Sequence, residues 1–140
     1  MKGKIDCSKV FVDISTYASA DNPFYGAFIA QDVKKDDLVE RGLMKRLGDD
    51  FDGTKNPYVF TWSDDIPNYT WAMGSGCSPY YNAQKLGKAN TCMVRYYDED
   101  RFEIFATRDI SAGEELTHTY KSLAWRPAFL ELRAIFEKEK

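Results

Sequence analysis

Two polar side chains in unusual settings indicate where this chain could do chemistry. Asn82 follows the bulky pair Tyr80-Tyr81. An amide both donates and accepts hydrogen bonds, so its presence there indicates a hydrogen-bonding partner. Tyr120 ends the run Thr-His-Thr-Tyr at the edge of an expected strand. We expect these two segments to meet in space, with the Asn82 amide holding a bound group and the Tyr120 hydroxyl facing the reacting atoms.

Glycine and aromatic residues elsewhere fit a site of this kind. Gly26, which follows Phe24-Tyr25, would allow a backbone to approach a ligand closely because it has no side chain. Tyr25 and Trp125 would offer aromatic faces to a ligand. Each residue also has an ordinary structural explanation: a turn glycine, a capping amide, a buried strand tyrosine or a tryptophan that anchors a helix. Their order along the chain favours a functional site.

Most familiar catalytic and metal-binding arrangements are missing from the sequence. It contains one histidine, His118, and three cysteines, whose spacing matches no zinc pattern. We find no nucleophile elbow, phosphate-binding loop or dinucleotide-binding glycine motif. A hydrolase with paired carboxylates stays open, although none of the acidic residues stands in a distinctive setting. We expect no metal site.

Length and charge limit the class of protein further. The 140 residues fit one domain, residues 1–140, and 44% of them are hydrophobic, so a core can form. A net charge of −3 argues against nucleic-acid binding and suits a cationic partner such as a lysine-rich peptide. The sequence shows neither a signal peptide nor a run of ~20 apolar residues. We therefore expect a soluble intracellular protein without membrane contact.

The pattern of short apolar runs between turn residues predicts a mostly β domain with one C-terminal helix. The residues around Asn82, from Ser78 to Ala89, are expected to be irregular. The helix is expected to begin at Pro127, because apolar residues recur at helical spacing after it. The predicted strands are Val10–Ile14, Tyr25–Gln31, Leu38–Leu47 (its later part alternatively helical), Tyr58–Trp62, Tyr69–Met73, Thr91–Tyr97, Arg101–Thr107 and Glu115–Tyr120.

One segment carries a specific family pattern. The run RDISAGEELTHTY resembles the "R-x-I-x-x-G-E-E-L-x-x-x-Y" segment of the SET-domain protein lysine methyltransferases. The matching positions are Arg108, Ile110, Gly113, Glu114, Glu115, Leu116 and Tyr120.

Earlier segments resemble the same family in the same order. Tyr81-Asn82 with Ala89-Asn90 is similar to the family's "N-H-S … P-N" segment, and the stretch YGAFIA is similar to its opening "G-x-G-x-F-A". Leu38-Val39-Glu40 resembles the "G-E-L-V/I-x-E" that follows. The small size and the absence of a cysteine-rich zinc segment resemble the minimal SET proteins of viruses and some bacteria.

Several positions depart from the family pattern. Ala83 and Gln84 replace the family's His and Ser, and Ala89 replaces its Pro. Phe24 stands at the first glycine of the opening motif, and Lys121 at the glycine after the tyrosine. Without a zinc segment, the resemblance leaves Trp125 and the last helix to close the site.

The resemblance implies both a fold and a reaction. The fold is the mostly β, β-clip SET fold, with several small twisted sheets, a knot-like C-terminal segment and one C-terminal helix. The reaction is methyl transfer from the cofactor S-adenosylmethionine to a lysine side chain, with Tyr120 as the catalytic residue. The implied cofactor-binding residues are Phe24, Tyr25, Gly26, Tyr81, Asn82, Ala83 and Trp125, and the implied lysine channel is lined by Tyr25, Tyr58 and Tyr120.

The departures keep other functions open. One is a SET-fold module with weakened catalysis that binds a lysine-bearing peptide or partner protein, and another is a β-rich interaction domain without a cofactor. The expected substrate is a lysine-bearing protein or peptide, a histone tail by family default. We also expect a homodimer, by resemblance to minimal viral members, in the cytoplasm or nucleus (the host nucleus for a viral protein).

Overall fold

The computed structural model describes residues 2–48, 50–56, 58–63, 70–84 and 87–119. This part of the chain is mostly β structure, with two 3-10 turns at Ser78–Tyr80 and Tyr97–Glu99. Its strands are β1 (Val10–Ile14), β2 (Tyr25–Ile29), β3 (Leu38–Arg46), β4 (Val59–Thr61), β5 (Trp71–Gly74), β6 (Asn82–Ala83), β7 (Thr91–Tyr96), β8 (Arg101–Ala106) and β9 (Glu115–His118).

The first sheet brings distant parts of the chain together in the order β1-β2-β9-β6. β1 and β2 form an antiparallel pair that runs from Val10 opposite Ile29 to Ile14 opposite Tyr25. β9 joins β2 antiparallel, and β6 joins β9 in parallel. Segments that lie far apart in sequence therefore converge at β9.

The second sheet has the order β4-β5-β3-β8-β7. β7 and β8 form a hairpin, and Asp100 in its turn adopts a left-handed conformation with φ of 49°, which aspartate tolerates better than most residues. The Asp100 carboxylate accepts hydrogen bonds from Trp62 Nε1 at 3.0 Å and from Arg46 Nε at 2.9 Å. The hairpin turn is thereby tied to the last residue of β3 and to the residue that follows β4.

The core lies between the two sheets. β8 alternates strictly, with Phe102, Ile104 and Ala106 buried between half-exposed neighbours, as expected for a strand with one face on the core. Trp62 and Phe60 are also fully enclosed. Each large apolar side chain buried in this way contributes roughly 1.5–3 kcal/mol relative to leaving it exposed.

The sequence-based expectations for the fold are largely confirmed. The mostly β class and the strands predicted at Thr91–Tyr97 and Arg101–Thr107 are observed, and the later part of Leu38–Leu47 is strand rather than helix. The expectation of an irregular stretch from Ser78 to Ala89 was wrong in part, because Asn82–Ala83 pairs with β9. The predicted helix from Pro127 and the knot-like segment lie outside the described residues.

Among residues 2–48, 50–56, 58–63, 70–84 and 87–119, no group of three or more His, Cys, Asp or Glu side chains is arranged to hold a metal ion. No helix among these residues is long and apolar enough to cross a membrane.

Candidate functional site

β6 places Asn82 beside the strand that leads into the C-terminal part of the chain. Asn82 lies opposite Thr117 and Ala83 lies opposite His118 in a parallel register. The pairing continues one residue further, where the backbone N–H of Gln84 donates to the His118 carbonyl at 3.0 Å. The sequence-based expectation that these two segments meet is thus confirmed up to Thr119, while Tyr120 itself lies outside the described residues.

The amide nitrogen of Asn82 is fully engaged. Nδ2 donates to the Tyr25 carbonyl at 3.1 Å, to Glu115 Oε2 at 3.0 Å and to Ser15 Oγ at 3.2 Å. A flipped amide would turn its carbonyl oxygen toward a carbonyl and a carboxylate, which accept hydrogen bonds but do not donate. The orientation is therefore fixed by chemistry, and no described residue donates a hydrogen bond to Oδ1.

The Glu115 carboxylate beside Asn82 is held by the turn that follows β1. Ser15 Oγ donates to it at 2.8 and 3.1 Å, and Thr16 donates from its backbone N–H at 2.7 Å and its hydroxyl at 2.5 Å. Hydrogen bonds to an ionised carboxylate are stronger than neutral ones. Glu115 is consequently fixed in place, with its negative charge next to the Asn82 amide.

Gly26 is needed for this packing. A Cβ at Gly26 would lie 2.3 Å from Glu115 Oε2 and 3.1 Å from Asn82 Nδ2, and the first distance is a severe overlap. The close approach expected at Gly26 is thus observed, and its partner is the Glu115 side chain. Contact of the Gly26 backbone with a cofactor stays a prediction.

Asn90 fixes β9 from the other side. Its Oδ1 accepts from the backbone N–H of Thr117 at 2.8 Å, and its Nδ2 donates to the Glu115 carbonyl at 2.8 Å. Thr91 Oγ1 donates to the Thr117 carbonyl at 2.7 Å. The side chains of Asn90 and Thr91 thus make hydrogen bonds to the β9 backbone that a neighbouring strand would otherwise make. These bonds position the segment that leads to Tyr120.

The aromatic residues predicted for the site lie in different places. Tyr25 begins β2 and Tyr58 precedes β4 of the other sheet, and both are exposed, at 57% and 47%. The Phe24 carbonyl accepts from the backbone N–H of Ser15 at 3.0 Å. A channel between Tyr25 and Tyr58 stays a prediction, and Trp125 lies outside the described residues.

Tyr81 belongs to the core through its side chain. It is 1% exposed, and its hydroxyl donates to Glu40 Oε1 at 2.8 Å. Glu40 Oε2 accepts from the backbone N–H of Cys77 at 3.0 Å. Burial raises the pKa of Glu40 to about 7 and, with the nearby Glu40 charge, holds the pKa of Tyr81 well above its usual value. Only the main chain of Tyr81 is left to meet a ligand.

His118 is a core residue. Its ring stacks against Tyr81 with centroids 5.7 Å apart and lies 6.0 Å from the Phe60 ring. Burial lowers the pKa of His118 to about 3, with a smaller effect from the charge of Arg95. The imidazole is therefore neutral at physiological pH and packed in the core.

The altered positions after Asn82 are part of the same framework. Ala83 is completely buried. Gln84 Nε2 donates to the Tyr17 hydroxyl at 2.9 Å, and the Gln84 carbonyl accepts from Thr119 Oγ1 at 3.0 Å. Gln84 therefore links the turn after β1 with the end of β9.

Sequence reasoning missed the residues that support the Asn82 amide. Ser15 and Thr16 were not among the candidate site residues, and Glu115 entered only as part of a motif without a role. The one available signal was that a Ser-Thr pair follows directly on a strand, where short hydroxyl side chains often bind nearby polar groups.

A separate cleft of about 590 Å³ opens beside the end of β9. Its described lining comprises residues of β7, the loops 87–89 and 107–108, and His118 and Thr119. Neither Asn82 nor Gly26 is among these lining residues, so the hydrogen-bond network and the cleft are distinct features of the described chain.

The geometry around Asn82 defines what the site can hold. No described residue donates to the carbonyl oxygen of the Asn82 amide, and the Glu115 carboxylate contacts the nitrogen of the same amide at 3.0 Å. Such a pair favours a positively charged hydrogen-bond donor such as an ammonium group.

Comparison with known proteins gives a family match over most of the chain. The matching family model is that of the SET domain, and it covers residues 24–121. No curated protein matches the sequence.

Several solved structures have a fold similar to that of this chain. A Plasmodium falciparum protein named as a histone methyltransferase is 15% identical, with a TM-score of 0.56, and the match covers 80% of this chain and 92% of that one. A chain of the Chaetomium thermophilum polycomb repressive complex 2 is 25% identical, with a TM-score of 0.61 and coverages of 86% and 16%. A chain of the same complex bound to S-adenosylmethionine is 22% identical, with a TM-score of 0.64. That match covers 96% of this chain and 17% of the other. This chain thus spans about one sixth of the matched chains of the complex.

Proposed function

Because this chain belongs to the SET-domain family, we propose that it transfers a methyl group from S-adenosylmethionine to a lysine side chain of a protein. The observation that carries the proposal is the fixed Asn82 amide. Its Nδ2 is taken up by Tyr25, Glu115 and Ser15, and its Oδ1 is left as an acceptor beside a carboxylate.

The residues present fit the cofactor. The ammonium group of its methionine end is the kind of cationic donor that Asn82 Oδ1 and the nearby Glu115 charge favour. The main chain at Phe24, Tyr25 and Gly26 and at Tyr81 and Ala83 would supply further polar contacts. Trp125 would stack on the adenine. When bound, S-adenosylmethionine supplies a methyl group on a positively charged sulfur.

The chain's own residues would prepare the lysine for attack. A lysine amine has an ordinary pKa of about 10.4, so it must lose its proton before it can react. Aromatic walls from Tyr25 and Tyr58 would lower that pKa by removing water from the ammonium form. The Tyr120 hydroxyl would hold the amine in line with the methyl group, and such alignment contributes roughly 7–11 kcal/mol in good cases.

The substrate we propose is a lysine-bearing protein, with a histone tail as the first candidate. The net charge of −3 suits a basic peptide.

Self-association is part of the proposal. β1 is an edge strand of its sheet among the described strands, and it exposes Phe11 at 41% and Ile14 at 65%. Edge strands with exposed apolar side chains favour pairing between chains. Sedimentation of the full chain as a monomer at high concentration would reject the dimer.

Mass spectrometry tests the reaction. The chain is incubated with S-adenosylmethionine labelled on its methyl group, together with histones and a lysate of lysine-rich proteins. We expect label on lysine side chains. Binding of the cofactor without label on any substrate would instead support the module with weakened catalysis.

A further inference from the structure

The turn after β1 lies outside the residues that define the family match. Ser15 and Thr16 precede residues 24–121, yet they supply most of the donors on Glu115. Ser15 is also buried, at 4% exposure, and its Oγ accepts from the backbone N–H of Tyr17 at 3.1 Å. This turn is therefore a built part of the Asn82 network.

The two oxygens of Glu115 have different partners. Oε1 accepts from both donors of Thr16, and Oε2 accepts from Asn82 Nδ2 at 3.0 Å. Only an ionised carboxylate can accept on both sides at once. A glutamine at this position would set its amino group either against Asn82 Nδ2 or against the Thr16 N–H, so one pair of donors would face each other.

The Asn82 side chain depends on this carboxylate for its direction. The remaining acceptors of Nδ2 are the Tyr25 carbonyl and Ser15 Oγ. Since Ser15 Oγ itself donates to Glu115, loss of the carboxylate also frees the serine hydroxyl to turn toward Asn82. Only the Tyr25 carbonyl would then still favour the orientation that leaves Oδ1 as the exposed acceptor.

We propose that Glu115, held by the Ser15-Thr16 turn, is a positioning residue that directs the carbonyl oxygen of Asn82 toward the ammonium group of the cofactor. This inference rests on the proposed function. It assigns a role to a carboxylate that need not touch the cofactor and to a turn that precedes the family match.

The test compares two ligands that differ at the amino-acid end. S-adenosylhomocysteine carries the ammonium group, and 5′-methylthioadenosine lacks it. Calorimetry on the full chain should show that Glu115→Gln weakens S-adenosylhomocysteine binding about tenfold to hundredfold, the usual range for a hydrogen bond to a charged group, while methylthioadenosine binding stays unchanged. The matched control is Glu99→Gln, the same change at an exposed carboxylate in the β7–β8 turn, which should alter neither affinity.

A milder variant guards against misfolding of Glu115→Gln. Thr16→Ala removes one hydroxyl donor and leaves the backbone N–H in place, so it should weaken S-adenosylhomocysteine alone, by a smaller factor. In the absence of ligand, the side-chain amide signals of Asn82 in nuclear magnetic resonance should shift in both variants and stay in place in Glu99→Gln.

The outcomes separate this inference from the proposed function. Equal weakening of both ligands, or none, with wild-type binding intact overturns the positioning role of Glu115 alone. A wild-type chain that binds neither ligand overturns the proposed function together with the inference.

Discussion

The hydroxyl of Tyr81 donates a 2.8 Å hydrogen bond to Glu40, and this buried pair joins the strand of Asn82 to β3. The residue before the candidate cofactor contact is thereby anchored in the core. Glu40 is completely buried and its pKa is raised to about 7 by that burial, so the anchor responds to pH.

Glu40 should make the fold less stable as the pH rises from about 4.5 to 7. Its folded-state pKa lies above the ordinary value of 4.5, so the folded chain binds more protons than the unfolded chain in this window. Stability therefore falls with rising pH, by about 3 kcal/mol at most at ~1.4 kcal/mol per pKa unit. Urea denaturation across this range should show that Glu40→Gln removes the contribution and that Glu99→Gln retains it. Equal slopes in all three chains would contradict the assignment.

His118 should act in the opposite direction. Its folded-state pKa of about 3 lies below the ordinary 6.5, so the unfolded chain binds more protons between these values and stability falls as the pH drops. Between pH 4.5 and 6.5 the two residues oppose each other. In the same denaturation series, His118→Gln should leave the Glu40 trend exposed, with stability increasing on acidification relative to wild type. A difference from wild type that does not vary with pH would show that His118 is not buried neutral.

Gly26→Ala should disrupt the Asn82 network directly. The added Cβ would lie 2.3 Å from Glu115 Oε2, so the carboxylate must move away from the amide. Overpacking of this kind costs about 1–3 kcal/mol, and S-adenosylhomocysteine binding should weaken as well. Gly48→Ala is the control, because its new Cβ meets only the side chain of Asp50, which is exposed and can move. Unchanged stability and binding in Gly26→Ala would contradict the close packing.

Asn90→Ala should loosen β9. The change leaves the buried N–H of Thr117 and the Glu115 carbonyl without their side-chain partners, and one such buried group costs about 1–3 kcal/mol. Asn90→Asp keeps the acceptor for Thr117 but buries a charged oxygen against the Glu115 carbonyl, so chemical denaturation at neutral pH should show it to be less stable than Asn90→Ala. The reverse order of the two variants would argue that Asn90 fixes β9 in some other way.

Local patterns predict strands that have a sequence pattern of their own. β8 was predicted from a short apolar run between turn residues, and in the fold its Phe102, Ile104 and Ala106 are buried on one face. β6 was missed because Asn82–Ala83 has no strand pattern of its own and is paired only through β9. Its two residues become a strand through contacts with a segment 35 positions away.

In the candidate site, too, only part of the arrangement could be predicted from local sequence. The type and position of Asn82 indicated a function, and the family pattern identified that function as cofactor binding. The support from Ser15 and Glu115 could not be predicted, because they lie 100 positions apart and meet only in the fold. Tyr81 was assigned to the cofactor from its place beside Asn82, whereas its side chain turns into the core toward Glu40.

The initial rate of lysine methylation by Tyr120→Phe, with cofactor binding measured in parallel, decides whether the Tyr120 hydroxyl takes part in the reaction. Tyr96→Phe is the matched control, because it removes a hydroxyl that binds Glu103 in the β7–β8 hairpin. We expect Tyr120→Phe to bind S-adenosylmethionine and to lose activity by about 10²–10³-fold, the usual effect of removing one group that stabilises charge at the reaction, while Tyr96→Phe keeps its rate. Full activity in Tyr120→Phe would exclude Tyr120 as the catalytic residue.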